Sequence, residues 1–407
     1  MARIGIVGYG SGGQAAALAF ARDGHDVTVL ERSPEPAPVG AGFLLQPTGL
    51  WALRALGLDR EALEYGARVD RLFGCNERGR AVMDMRYADL DPALHGLGLQ
   101  RGALFLLLHR ALAGRIALVA DCEAAALDAE AGTLRDATGR AHGPFDLVVV
   151  ADGARSQLRR SVDPDAHESP YPWGARWCLL PDPRGEWTRE LRQRYGLARR
   201  MIGMLPVGRL PNGDAPKVCF YWSVPPELRA QPATNEAVAE EASRLWPEAG
   251  ALLRTHANDI VLSDAAYRDV SLRRCFRGRA VVIGDAAHAM SPQLGQGVNL
   301  ALLDAVALAA MWRRHGDAAR ALPAFAAERA AHWRVYRLIS KALTPLFQSN
   351  FDLLARVRDV FMLPVGRLPF LRGEMLRVLA GTKRGLFGRL ALDDGEAGAG
   401  ASINRRA

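Results

Sequence analysis

Ile4-Gly5-Ile6-Val7-Gly8-Tyr9-Gly10-Ser11-Gly12-Gly13 stands at the start of the chain, and the reading of these ten residues decides the fold. Ile4 to Val7 is a short apolar run of the kind that forms a buried parallel strand. The glycines at 8, 10 and 13 follow at once, then a helical stretch from Gln14 to Arg22, then Gly24. A second apolar run, Val27 to Leu30, ends on Glu31. Strand, G-x-G-x-x-G turn, helix and acid-ended strand make up the dinucleotide fingerprint of a βαβ unit. Gly8 permits the tight turn, Gly10 lets backbone approach a pyrophosphate, and Gly13 lets helix lie on strand. With Ser11 and Gly12 they place free N–H groups and a partial positive charge at the helix start. Glu31 is positioned to accept from ribose hydroxyls. An acid there suits the ribose of NAD or of FAD, so this turn alone does not choose between them.

Two more apolar strands are read further along. Leu147 to Val150 leads into Ala151-Asp152-Gly153-Ala154-Arg155-Ser156-Gln157-Leu158-Arg159. Ala280 to Ile283 leads into Gly284-Asp285-Ala286-Ala287-His288, and then Pro292, Gly295, Gln296, Gly297, Val298 and Asn299. Each puts an Asp-bearing turn at the carboxyl end of a strand, where open α/β sheets bind ligands. Asp285 suits a ribityl hydroxyl. Pro292 keeps the following backbone irregular, and the glycines free the N–H groups at the start of a helix running from Leu300 to Trp312. Such a helix start favours the negative charge a flavin gains at N1 and O2 on reduction.

The fingerprint, the D-G-x-x-S-x-x-R segment and the G-D-A-A-H-x-x-x-P-x-x-G-Q-G-x-N segment together resemble the class A flavoprotein aromatic hydroxylases. That superfamily includes para-hydroxybenzoate hydroxylase and the ubiquinone-biosynthesis hydroxylases. The resemblance spans about residues 4–310 and implies FAD as cofactor, NADPH or NADH as transient donor, and oxygen transfer from a flavin C4a-hydroperoxide. It implies that Gly8, Gly10, Gly13 and Glu31 hold the ADP half, and that Arg32 and Arg101 sit near the pyrophosphate or flavin edge. For either arginine a plain surface charge is the competing reading. Asp152 to Arg159 resembles the segment bridging FAD and the nicotinamide. Gly284 and Asp285 would meet the ribityl–phosphate region, and Gly295 to Asn299 the ring, with Pro292 counted among both cofactor-binding and catalytic residues. His288 reads as a structural member of its motif.

The implied fold is α/β, α+β overall: a discontinuous Rossmann-like FAD-binding domain (1–70, 98–165, 275–330) and a substrate domain on a mixed sheet (71–97, 166–274). C-terminal helices (331–392) and a flexible tail (393–407) complete it. Residues 34–47, rich in Pro and Gly, read as a loop, and one helix near 235–247 should cover the second sheet. In Phe220-Tyr221-Trp222-Ser223-Val224-Pro225, strand alternation puts Phe220 and Trp222 on one face and Tyr221 on the other. Tyr221 is a candidate base for a phenol; the alternative is that all three are core aromatics. The hexapeptide also resembles the W-x-W-x-I-P motif of flavin halogenases, but those depend on a flavin-domain lysine, and no lysine precedes Lys217. A prenyl-group reductase and a binding protein that has lost its flavin are the remaining alternatives.

Composition narrows the class further. The 407 residues carry a net charge of +8, yet only Lys217, Lys341 and Lys383 of the 52 basic residues are lysines. The basic residues cluster on no single element, apart from 331–390, which argues against a nucleic-acid partner. Five dispersed cysteines without C-x-x-C spacing argue against a disulfide framework or a metal site. The first strand starts too close to Met1 for a signal peptide, and a cytoplasmic monomer or homodimer acting on a small molecule and oxygen is expected. Residues 331–390 read as amphipathic helices rich in Leu, Phe and Arg, broken at Pro345, Pro364 and Pro369. The favoured reading is a cap over the active-site mouth with arginines in solvent; peripheral contact with an anionic membrane is the alternative.

Overall fold

The computed structural model describes residues 1–38, 40–211, 213, 215–229, 231, 233–385 and 388–390. The expected tail, 393–407, lies outside the described residues. Arg3–Val7 sits inside a six-stranded sheet ordered Phe276–Arg277, Ala280–Val282, Leu147–Val150, Arg3–Val7, Asp26–Leu30, Ala117–Val119. All but the first strand run parallel. Their continuous apolar runs follow from burial on both faces. Ile4, Ile6, Val29, Leu147 and Val149 pack with the helices Ser11–Arg22, Arg101–Leu112 and Gly297–His315. Val148, Val150, Ala280 and Val282 pack the other way, toward a three-stranded antiparallel layer, Ala124–Asp128, Thr133–Asp136 and Ala141–His142. The parallel strands deliver their carboxyl ends to one edge, which carries Gly8, Glu31, Ala151 and Gly284.

The second sheet has nine strands and is mixed: Arg189–Gly196 pairs in parallel with Ala67–Asn76, while the other pairings are antiparallel. It reaches further into the first region than expected. Gly42–Leu45, read as loop, is its edge strand, and Gly96–Gln100 pairs beside it. The boundaries at 70 and 98 therefore cut through strands of this sheet. A Pro/Gly-rich approach hid Gly42–Leu45, where Gly42 is required because a Cβ would lie 2.3 Å from the Val207 side chain. The covering helix is two helices, Asn235–Leu245 and Pro247–Thr255, divided at Trp246-Pro247 because the residue before a proline is driven out of the α region. They bury Phe220 and Trp222 on the outer face. Leu205, Cys219 and Tyr221 occupy the opposite, inner face.

Three helices close the chain: Ala318–Phe347, Asp352–Val365 and Pro369–Leu379. Pro345 and Pro364 lie inside the first two and do not end them, while Pro369 starts the third. The first helix, of 30 residues, is about 45 Å long at 1.5 Å per residue. It is fastened by a buried ionic cluster. The Asp304 carboxylate accepts from Arg329 Nε (2.8 Å) and Trp333 Nε1 (2.9 Å) on one oxygen. Its other oxygen takes Gly284 N (3.0 Å) and His288 Nε2 (2.6 Å). Arg329 also donates to His332 Nδ1, whose Nε2 donates to the Gly381 carbonyl. Burial and the adjacent Arg329 push His332 well below its ordinary value, so it is neutral in this role.

Burial raises the Asp304 carboxyl, but His288 and Arg329 outweigh it and hold the group at about 2, below its ordinary 3.8. A carboxyl depressed on folding stabilises above its unfolded value and loses that contribution as pH falls through its folded one. The clamp is thus fully present above about pH 4 and is lost toward pH 2. Asp304→Asn, which strands a buried Arg329, should cost about 3–5 kcal/mol in urea unfolding. It should also remove that part of the acid transition; an unfolding midpoint equal to wild type would contradict the clamp.

Candidate active site

Around the first turn the backbone leaves no room for side chains. Gly8 has φ +97°, and a Cβ there would lie 2.6 Å from the Ala151 carbonyl oxygen. A Cβ on Gly13 would lie 1.9 Å from the Gly8 oxygen, whereas nothing stands within 4 Å of the corresponding position on Gly10. The turn is closed behind and open in front, toward the N-terminus of the helix Ser11–Arg22. Glu31 is locked beside it: its two oxygens accept from Tyr9 N (2.7 Å) and Ser33 N (2.9 Å) and keep further lone pairs for ribose hydroxyls. Arg32 is exposed and within electrostatic reach of Asp152. Burial raises Asp152, with Ser156, Arg159 and Arg32 opposing, and its Oδ1 is buried without a protein partner. Arg159 itself is buried and ties the loop by donating to the carbonyls of Ser156, Gly153 and Ala154. It shapes the D-G turn from within.

At the other end, Asp285 is exposed beside the start of the helix Gly297–His315. Gly295 takes a left-handed conformation after the turn Pro292–Leu294, whose first carbonyl accepts from Gly295 N. Two residues expected to meet the flavin ring have other work for their side chains. Asn299 accepts from Gln46 N (2.8 Å) and donates to the Leu44 and Gly295 carbonyls. Gln296 donates to the Val378 and Leu379 carbonyls. Both side chains fasten the glycine loop, to the edge strand Gly42–Leu45 and to the last helix, while the Gln296 amide oxygen is buried without a protein partner. Gly297, Val298 and the helix N-terminus keep the anion-favouring backbone. Arg101 starts its helix with its stem against Gly40 and lies within electrostatic reach of Cys219 and Tyr267.

The Pro292 turn faces the inner side of the nine-stranded sheet. Tyr171 and Tyr267 make an edge contact at 6.4 Å between ring centres, and Tyr171 donates to Gln348. Gln293 and Ser291 lie within hydrogen-bonding influence of Tyr171, and Tyr267 is coupled to Tyr221. Tyr221 packs over Gly203, where a Cβ would lie 2.0 Å from its ring. Its oxygen accepts from Gln193, whose own carbonyl accepts from Tyr195 at 2.9 Å. Burial pushes the Tyr221 phenol far above its ordinary value. A phenol so placed keeps its proton and offers it as a donor. Tyr171, Tyr267 and Gln193 were not singled out in the sequence, where nothing distinguishes them from other strand residues.

Two other features lie apart from these residues. A groove of about 410 Å³ between Phe73, Trp187, Trp246, Arg71, Arg192 and Arg194 opens on the outer sheet face, where Arg71 pairs with Asp84 and Glu190. Cys122, Asp136 and His142 come together in the three-stranded layer. There Asp136 already accepts from His142, Thr138 and two backbone N–H groups, and the cluster braces a hairpin.

A glycine turn that excludes Cβ atoms, a fixed acid beside it, an unpartnered buried Asp152 oxygen and a second helix start with Asp285 fit the phosphates, ribose, ribityl chain and ring of FAD. They define a dinucleotide-binding flavoprotein. Residues 1–334 match the FAD binding domain family, and the chain belongs to it. It is 31% identical over 316 residues to a probable 2-heptyl-3-hydroxy-4(1H)-quinolone synthase of Rhodococcus erythropolis, covering 75% of this chain and 78% of that one. It is 30% identical over 367 residues to kynurenine 3-monooxygenase of Salinispora arenicola, covering 84% and 79%. The fold is shared with FAD-complexed HpxO of Klebsiella pneumoniae at a TM-score of 0.77 and 22% identity, over 94% of this chain and 99% of that one. The protein is a class A FAD-dependent monooxygenase.

Gly13→Ala should yield a folded but colourless protein, since its Cβ displaces the Gly8 carbonyl and closes the phosphate turn. Asp285→Ala, losing a charge-assisted hydrogen bond, should weaken FAD binding by about 10- to 150-fold. Flavin content after purification and fluorescence titration of the apoprotein check both; yellow Gly13→Ala protein would contradict the assignment.

Proposed function

We propose that the enzyme hydroxylates a lipophilic aromatic compound held between the Pro292 turn and the inner face of the nine-stranded sheet. Bound FAD supplies the reduction by NADH or NADPH and the activation of oxygen. The chain's own residues orient the ring and exclude water. The carrying observation is the Tyr195–Gln193–Tyr221 relay: Gln193 donates to the Tyr221 oxygen, so Tyr221 keeps its proton for a second partner. That partner is a carbonyl or hydroxyl oxygen of the substrate. Tyr171 and Tyr267 supply ring edges and the apolar inner face supplies dryness. Arg101, within electrostatic reach of Tyr267, sets a positive charge beside these rings. Kinship to a protein named for a 2-heptyl-quinolone product supports an aromatic with an alkyl substituent.

We place the enzyme in the cytoplasm as a monomer or homodimer. Its five cysteines are buried free thiols, which suits a reducing compartment, and among the described residues no helix is long and apolar enough to cross a membrane.

The reading is tested by following NADH and NADPH oxidation, oxygen uptake and product with a panel of phenols, quinolones and polycyclic aromatics. One compound should speed flavin reduction and return oxygenated. Tyr221→Phe should then lower kcat/KM for that compound about tenfold, as expected for one lost hydrogen bond, with donor oxidation in its absence unchanged. Unchanged kcat/KM would remove Tyr221 from the substrate site.

A further inference from the structure

The C-terminal helices show an inverted face. Apolar residues of an amphipathic helix normally turn inward, yet here a run of them points to solvent. Phe351 is 64% exposed, Leu353 75%, Phe361 57% and Phe370 70%, and Leu354, Val357, Val360, Val365, Leu368 and Leu371 are all more than a third exposed. On the helix Asp352–Val365 they follow the spacing of one stripe, opposite Ala355 and Arg358, which are buried. Scattered exposed apolar residues need no explanation, but a continuous face of ten does.

Its charges that lack an ion-pair partner among the described residues are of one sign. Arg356 and Arg367 are exposed along it. The acids of the segment are occupied elsewhere: Asp352 pairs with Arg199, and Asp359 with the buried Arg358. Residues 331–390 hold 11 basic and 3 acidic residues. An apolar stripe edged only by arginine is complementary to anionic phospholipid headgroups over acyl chains. A second copy of the same face would set arginine against arginine.

We propose that the face formed by Phe351–Leu371 docks on an anionic bilayer surface, with the helix Asp352–Val365 lying in the interface plane. It takes up the alternative reading of 331–390 in place of a cap over the active-site mouth. It stands independently of the substrate assignment.

The full-length, FAD-loaded protein is floated with phosphatidylcholine vesicles with and without phosphatidylglycerol. It should bind the anionic vesicles, and the charge-reversed Arg356→Glu/Arg367→Glu protein should bind them at least about thirtyfold more weakly, taking about 1 kcal/mol for each arginine lost, with the repulsion of the new carboxylates added to it. Phe361→Ser/Phe370→Ser should lose most binding to the anionic vesicles while retaining flavin colour and donor oxidation. The proposal is overturned if wild type floats with neither vesicle or if both variants float as it does. It is equally overturned if wild type ignores vesicles and instead forms a dimer that Phe361→Ser/Phe370→Ser dissociates in sedimentation velocity. Should the apolar variant lose its flavin, the charge-reversed protein alone decides.

Discussion

The carboxylate of Asp304 is the point at which the three parts of the molecule meet. It is fully buried, and ionised there it is tolerable only because all four of its lone-pair positions are filled. One donor comes from the flavin-site turn at Gly284, one from His288, and two from the long helix Ala318–Phe347. Through Arg329 and His332 the same cluster reaches Gly381, beyond the last helix. A hydrophobic contact at this place would resist separation but not rotation. Directional hydrogen bonds to a charge fix the angle at which the C-terminal helices lie across the flavin domain. They also fix the Gly284 turn, on whose conformation the position of Asp285 depends.

A second, uncharged set of bonds extends that precision to the ring end of the site. Asn299 holds backbone from the edge strand Gly42–Leu45 and from the Gly295 turn, and Gln296 holds the last helix. Gly49 is required beside it, since a Cβ there would lie 2.1 Å from the Asn299 amide oxygen. The cofactor loop and the substrate sheet are consequently one mechanical unit. The Pro292 turn and the inner-face tyrosines keep their separation because both are referred to this helix start. The exclusion of water that flavin–oxygen chemistry needs rests on that separation.

How much of this was legible in the sequence follows from what each part demands of it. The glycine turn, Glu31 and the Asp285 turn were readable because backbone geometry admits few residue types there. The parallel strands were readable because burial on both faces leaves only apolar side chains. Gly42–Leu45 and Gly96–Gln100 were not, since short strands flanked by Gly and Pro carry no periodicity. Asp304 was overlooked although it left a signal: a lone acid amid Leu300-Ala301-Leu302-Leu303 and Ala305-Val306-Ala307-Leu308, where burial was already implied. Its partners Arg329 and His332 looked like ordinary polar residues of an amphipathic helix. The fastening bonds of Asn299 and Gln296 could not be read because family motifs record which residues stand at a site, not which of their atoms face the rest of the fold. The face at Phe351–Leu371 has the spacing of a core stripe, and sequence periodicity says which residues share a face without saying what lies against it.

The strand order of the six-stranded sheet also bears on how the chain is made. Arg3–Val7, Asp26–Leu30, Ala117–Val119 and Leu147–Val150 can pair once the first 150 residues have left the ribosome, but the strand Ala280–Val282 arrives much later. The Gly295–Asn299 loop, which family resemblance assigns to the flavin ring, comes with it, and the helix that bolts that loop in place comes later still. A nascent chain therefore presents an adenine-nucleotide half-site long before it has a place for the isoalloxazine. FAD seated across both halves joins segments nearly 300 residues apart, and so acts in biogenesis as a late non-covalent cross-link of the finished fold.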